Sequence, residues 1–156
     1  MLKGIPEILS PQLLKILCEM GHGDQIVIAD GNFPAESMGK NSVVIRADGH
    51  GTTELLEAIL SVFPLDTYVD NPIKLMQVVP NDNVETPIWE EYYHILANNC
   101  YQKEKVENVE RFAFYEAAKR AYAIIATSEN ALYANLILQK GVIKIEGKQK
   151  NDLHGN

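Results

Sequence analysis

Short apolar runs that end near aspartate or glycine, alternating with stretches of helical spacing, restrict this chain's fold more than any other feature. QIVIA at 25–29, SVVIR at 42–46 leading into Asp48-Gly49, IKLMQVV at 73–79, YAIIAT at 122–127 and NLILQKGVI at 135–143 read as buried strands. Between them the period changes to that of a helix. Ser10 followed by Pro11 is a helix start, Leu13, Ile16, Leu17 and Met20 keep the i, i+3, i+4, i+7 spacing, and Gly21 stands where the helix should stop. Leu56, Ile59, Leu60 and Phe63 form a second stripe. Thr86-Pro87 opens a third helix carrying Trp89, Tyr92, Tyr93 and Leu96. Phe114, Ala117, Ala118 and Ala121 mark a fourth, with Glu116 and Arg120 expected to pair at i, i+4.

This alternation predicts a single α/β domain, a three-layer α/β/α sandwich with a mostly parallel sheet. No solenoid period or linker divides the chain. Apolar patterning stops after Ile145, so the domain is expected over 1–145 and a polar, disordered tail over 146–156.

Twenty-one acidic against fourteen basic residues give a net charge of -7, which argues against nucleic acid or an anionic membrane as the main partner. MLKGIPEILS lacks the apolar core of a signal peptide, and the longest apolar runs reach about half a membrane span. Cys18 and Cys100 have no CxxC or His-paired spacing, and Cys18 reads as a small buried hydrophobe. A cytoplasmic protein with reduced thiols is expected.

Open α/β sheets gather ligands where loops leave the carboxyl ends of strands. Asp30 closes the QIVIA run and precedes the turn GNFP, so it either caps that turn or faces a ligand. His22 lies between Gly21 and Gly23, where it either faces the end of the preceding helix or carries a proton, imidazole being the side chain that titrates near neutrality unperturbed. His50, in a second Gly-His-Gly, has no evident partner and reads as a solvated loop residue. His94 reads as surface or interface, and His154 falls in the tail. No metal-ligand spacing, Walker loop, GxGxxG or GxSxG occurs, so no metal or other cofactor is expected. The stripe Trp89, Tyr92, Tyr93 reads as core or subunit interface. Arg111 opens a helix, where a cation is electrostatically disfavoured, and so invites a second role such as gripping ligand oxygens.

EMGHGDQIVIADGNFPA at 19–35, RADG at 46–49, RFAFYE at 111–116 and YANLILQKGV at 133–142 together resemble the L-fucose mutarotase family, which is related to the D-ribose pyranases. The resemblance runs in order from about residue 1 to 142. It implies an enzyme that interconverts anomers of a free sugar and a subunit that assembles into a ring-like decamer. It also implies that His22 is the acid/base and that Asp30, Arg111, Tyr133, Ala134 and Asn135 bind substrate. Ala134 stands where the family commonly has glycine, so a positive φ there would carry a penalty.

The chemistry fits these residue types. Mutarotation opens a hemiacetal and recloses it on the other face, which requires proton transfer at the anomeric hydroxyl and the ring oxygen. General acid/base help of ~10²–10⁴ with positioning is sufficient. The glycines are expected to let sugar and backbone approach His22, and Asp30 either binds sugar hydroxyls or orients His22. Tyr133 is a candidate second proton carrier, a better donor than base at its ordinary pKa of about 10. A D-ribose-type pyranase and a non-catalytic sugar-binding regulator are the competing readings.

Overall fold

The computed structural model describes residues 1–145, and the tail expected over 146–156 lies outside the described residues. The Ser10 hydroxyl accepts the Leu13 amide at 3.2 Å and Pro11 is the first residue of α1 (Pro11–Glu19), as the cap reading requires. The helix does not stop on a left-handed glycine. Met20 turns extended, with φ -60 and ψ 135. Lys140 then reaches back, its Nζ donating to the carbonyls of Leu17 and Met20, each at 2.6 Å. Leu13, Ile16 and Leu17 point inward, which turns position 18 outward, so Cys18 is exposed rather than buried.

The chain continues through β1 (Gln25–Ala29), α2 (Ala35–Met38), β2 (Val43–Ala47), α3 (Thr52–Leu60), β3 (Ile73–Met76), α4 (Pro87–Asn98), β4 (Val106–Val109), α5 (Arg111–Arg120), β5 (Ala123–Thr127) and β6 (Leu136–Gln139). The strands form one sheet in the order β2-β5-β1-β6-β3-β4. β1 and β2 each run parallel to β5, and β3 runs parallel to β4. β6 lies antiparallel between β1 and β3, so the sheet is mixed, with its last strand reversed at its centre.

Both faces of the sheet are covered. On β1, Ile26 and Ile28 face a core shared with α1, α3 and α4, while Val27 and Ala29 face one shared with α2 and α5. β6 divides in the same way, Leu136 and Leu138 to one side and Ile137 to the other. This period-2 division explains why the central strands carry unbroken apolar runs, Ile26–Ala29 in β1 and Leu136–Leu138 in β6. Tyr92 is fully buried within the subunit, with Trp89 and Tyr93 packed against the same core, so the aromatic stripe of α4 belongs to the domain interior. On α5, Glu116 pairs with Lys119 at 2.7 Å instead of with Arg120.

Candidate active site

β1, β4 and β6 bring four of the expected residues to one end of the sheet. Asp30, Arg111, Tyr133 and Asn135 line a single pocket of about 200 Å³, with Phe33 and Asp82 on its walls. Asp30 is buried and held from two sides. Its amide donates to Asn135 Oδ1 at 2.7 Å, and Asn135 Nδ2 donates to its carboxylate at 3.1 Å. Asp30 Oδ1 also accepts the Asn32 amide at 3.0 Å, so the aspartate closes its turn as well as facing the pocket. Burial pushes its carboxyl above the ordinary range, opposed by hydrogen bonds from the Asn32, Ala134 and Phe33 amides and from Asn135. Such a group is a strong acceptor for sugar hydroxyls.

Arg111 is the first residue of α5, where the Glu110 carboxylate caps the helix by accepting the amides of Phe112 and Ala113. That cap offsets the cation's unfavourable place. The guanidinium lies 5.5 Å from the ring centres of Phe112 and Tyr115, and its Nε donates to the Tyr115 hydroxyl at 3.3 Å. Among the described residues it forms no ion pair, which leaves its remaining donors facing the pocket.

The backbone between Tyr133 and Asn135 is unusual, though not where expected. Tyr133, not Ala134, has the positive φ, at 55°. α4 holds it there. Trp89 Nε1 donates to the Tyr133 carbonyl at 2.8 Å and the Tyr92 hydroxyl donates to the Ala134 carbonyl at 2.7 Å. Ala134 is fully buried and does not line the pocket, so its contribution is through its backbone.

His22 is elsewhere. It precedes β1 and Asp30 follows it, and the four residue steps from Gln25 to Ala29 put the two strand ends about 13 Å apart. Asp30 therefore does not orient His22. Asp66 does: His22 Nε2 lies 3.1 Å from Asp66 Oδ1. The carboxylate is buried, accepts the Tyr68 amide at 2.9 Å on the same oxygen and Gln139 Nε2 at 2.9 Å on the other, and Gln139 in turn accepts from Gln25 at 3.0 Å. The Tyr68 amide foremost, with Gln139 and His22, holds the Asp66 carboxyl below its ordinary range despite burial. The His22 side chain is 44% exposed and lies 5.3 Å from the Tyr68 ring. This is a fixed histidine–carboxylate pair that presents an imidazole to the outside.

The glycines beside His22 have a backbone explanation. Gly23 has φ +87, and Asp24 Oδ2 accepts the Gly21 amide at 2.7 Å to close the turn. His50 has a partner after all, with Nδ1 3.2 Å from Glu54 on the first turn of α3. His94 is exposed, in a groove with Glu54, Glu57, Glu90 and Glu91. A larger cavity of about 800 Å³ lies under the N-terminal arm between Met1 and Lys15, but its walls are chiefly apolar and gather no set of polar groups. The smaller polar pocket is the better candidate. Sequence reasoning missed Asp66 and Asp82. Both sit in irregular segments, FPLDTY and VPNDNV, where an aspartate reads as a turn former.

The model of the RbsD / FucU transport protein family matches residues 3–143. The chain belongs to that family. Within it, the human protein named fucose mutarotase is 52% identical over 149 residues, covering 92% of this chain and 96% of the relative. The solved structure of the fucose mutarotase from Streptococcus pneumoniae in complex with L-fucose superimposes with a TM-score of 0.87 at 47% identity, covering 92% of this chain and all of that one. FucU from Bifidobacterium longum gives 0.88 at 62% identity, over 91% of this chain and all of that one.

Proposed function

We infer that this chain is an L-fucose mutarotase, an isomerase that interconverts the α and β anomers of the free sugar. The pocket at the end of β1 carries the reading. A buried carboxylate, an unpaired guanidinium, a tyrosine and an asparagine converge there in a chain 52% identical to human fucose mutarotase. Asp30 accepts hydroxyl protons from the sugar and Arg111 donates to its oxygens. His22, steadied by Asp66, exchanges a proton with the sugar when the ring opens and closes. The reaction transfers no electrons or groups, so these side chains and the sugar supply every atom it needs.

One subunit does not bring His22 to that pocket, which supports assembly as a ring. The two half-sites have different apolar rims. Beside the sugar pocket Phe112 and Leu132 are exposed; beside His22 are Tyr68 and, through Lys144 over its ring, the segment of Ile143 and Ile145. Two unlike patches joining head to tail generate a ring when the rotation between copies closes. The reading is a homodecamer in which His22 of one copy meets the Asp30 pocket of the next. Two free cysteines, both exposed, fit a reducing cytoplasm. Among the described residues no helix is long and apolar enough to cross a membrane.

Saturation transfer between the anomeric protons of L-fucose tests the reading, with ribose, galactose and glucose in parallel. EDTA-treated protein should accelerate exchange of L-fucose above the buffer rate. No acceleration with any of the four sugars would refute it.

A further inference from the structure

Tyr133 is held more tightly than a sugar-contacting side chain requires. An aromatic residue at φ 55 is in a region such side chains rarely occupy, and it persists only when its surroundings over-determine it. Its carbonyl is fixed by Trp89 at 2.8 Å. Its hydroxyl is fixed at the opposite end by the 77–86 loop. There it donates to the Asp82 carboxylate and accepts the Val79 amide at 3.4 Å. Asp82 is exposed, and both residues line the pocket that contains Asp30, Arg111 and Asn135.

The direction of that hydrogen bond matters for the chemistry. A phenol has one hydrogen and two acceptor lone pairs. Here the hydrogen points to Asp82 and Val79 takes one lone pair, so the phenol oxygen is left with a free acceptor position. Resting on the mutarotase reading, we propose that Tyr133 and Asp82 form a proton relay in which Asp82 is the final acceptor of the anomeric hydroxyl proton.

The step balances without any other reagent. As the bond between the anomeric carbon and the ring oxygen breaks, the anomeric hydroxyl proton passes to Tyr133 and the tyrosine's own proton passes to Asp82. The electrons of the O–H bond form the carbonyl, and those of the broken bond go to the ring oxygen, which takes a proton from His22. After rotation about the neighbouring carbon–carbon bond, closure runs the same transfers backwards and restores every proton. The relay lets a phenol act as a base at neutral pH, because its proton leaves in the same event. Asp82 is a positioning residue in this scheme, since it reaches the sugar only through Tyr133.

The charged and titratable groups facing the Tyr133 hydroxyl are Asp82 from the loop, Arg111 and Tyr115 from α5, and Asp30 from the turn after β1. Asp82 foremost raises the phenol above its ordinary value, with Arg111 and the Val79 amide opposing it. That gives a readout independent of turnover. Asp82→Asn keeps the shape but cannot take a proton at neutral pH. It should lower kcat for L-fucose exchange about 10–100-fold with KM changed by about threefold or less. In protein carrying ¹³Cζ-labelled tyrosine, with the Tyr133 signal assigned by its loss in Tyr133→Phe, that signal should titrate at lower pH in Asp82→Asn than in the parent. The double variant should be no slower than Tyr133→Phe alone. If the parent is active and Asp82→Asn keeps its kcat, or if Tyr133 titrates identically in both, the relay is overturned while the mutarotase reading stands. A parent protein inactive on every sugar overturns both.

Discussion

His22 and Asp30 bracket β1 from opposite ends of the same strand, one held by Asp66 and the other by Asn135. No side-chain rotation joins them across the length of a strand. A site that uses both must take them from different copies of the chain.

That arrangement predicts complementation. His22→Ala should lose roughly 10²–10⁴ in turnover with sugar affinity little changed, while Asp30→Ala should lose affinity as well. When the two variants are co-assembled in equal amounts, about a quarter of the sites in a head-to-tail ring combine two intact halves. Exchange should rise accordingly in saturation-transfer measurements, alongside light scattering that reports a large oligomer. A mixture no more active than the mean of its components, or a particle of monomer mass, would show that the site is built otherwise.

Asp66→Asn should slow exchange by at least about tenfold, because the amide no longer stabilises a charged imidazole. It should also change acid stability. The folded Asp66 carboxyl lies below its ordinary value, so it adds stability above the ordinary carboxylate range and loses it as pH falls through the depressed one. Urea unfolding should therefore find the parent more stable near neutrality and the two proteins converging in acid. A difference that widens on acidification would contradict the assignment.

Tyr92→Phe tests the grip of α4 on the 133–135 backbone. The hydroxyl donates to the Ala134 carbonyl and lies 2.5 Å from that of Thr52, both groups being buried. Removing it takes that donor from the buried Ala134 carbonyl, while Thr52 keeps Glu129 as a partner at 3.2 Å, at a cost of about 1–3 kcal/mol, a fall in Tm of roughly 3–10 °C. Calorimetry should show that loss, and ligand-observed NMR a severalfold weaker hold on L-fucose. Unchanged stability and affinity together would mean the contact is incidental.

Arg111→Lys keeps the charge but not the planar fork or its stacking on Phe112 and Tyr115. L-fucose binding should weaken about tenfold by calorimetry. Parental affinity would mean that charge alone suffices there.

The sequence discloses the α/β class because central strands and amphipathic helices have different periods. It conceals β4 and α2. VENV is an edge strand that pairs only with β3 and leaves Glu107 and Asn108 in solvent, so no apolar run marks it. AESM is four residues long, too short to display a helical stripe. The reversal of β6 is also hidden, since the apolar run Leu136–Leu138 looks the same in either direction. The candidate pocket is legible through motifs that carry Asp30, Arg111, Tyr133 and Asn135. The partner of His22 is not, because a contact spanning 44 residues between two turns leaves no periodic trace.

β6 joins the two halves of this chemistry in a way that constrains folding itself. Its four residues are bounded by Asn135, which fixes Asp30, and Gln139, which fixes Asp66. A slip of one residue in its pairing would turn Leu136 and Leu138 toward the wrong layer and detach both aspartates from their partners together. A subunit mispaired at the centre of its sheet would thus lose the anchored Asp30 and the anchored Asp66 at once. Correct register and full competence are acquired in the same step.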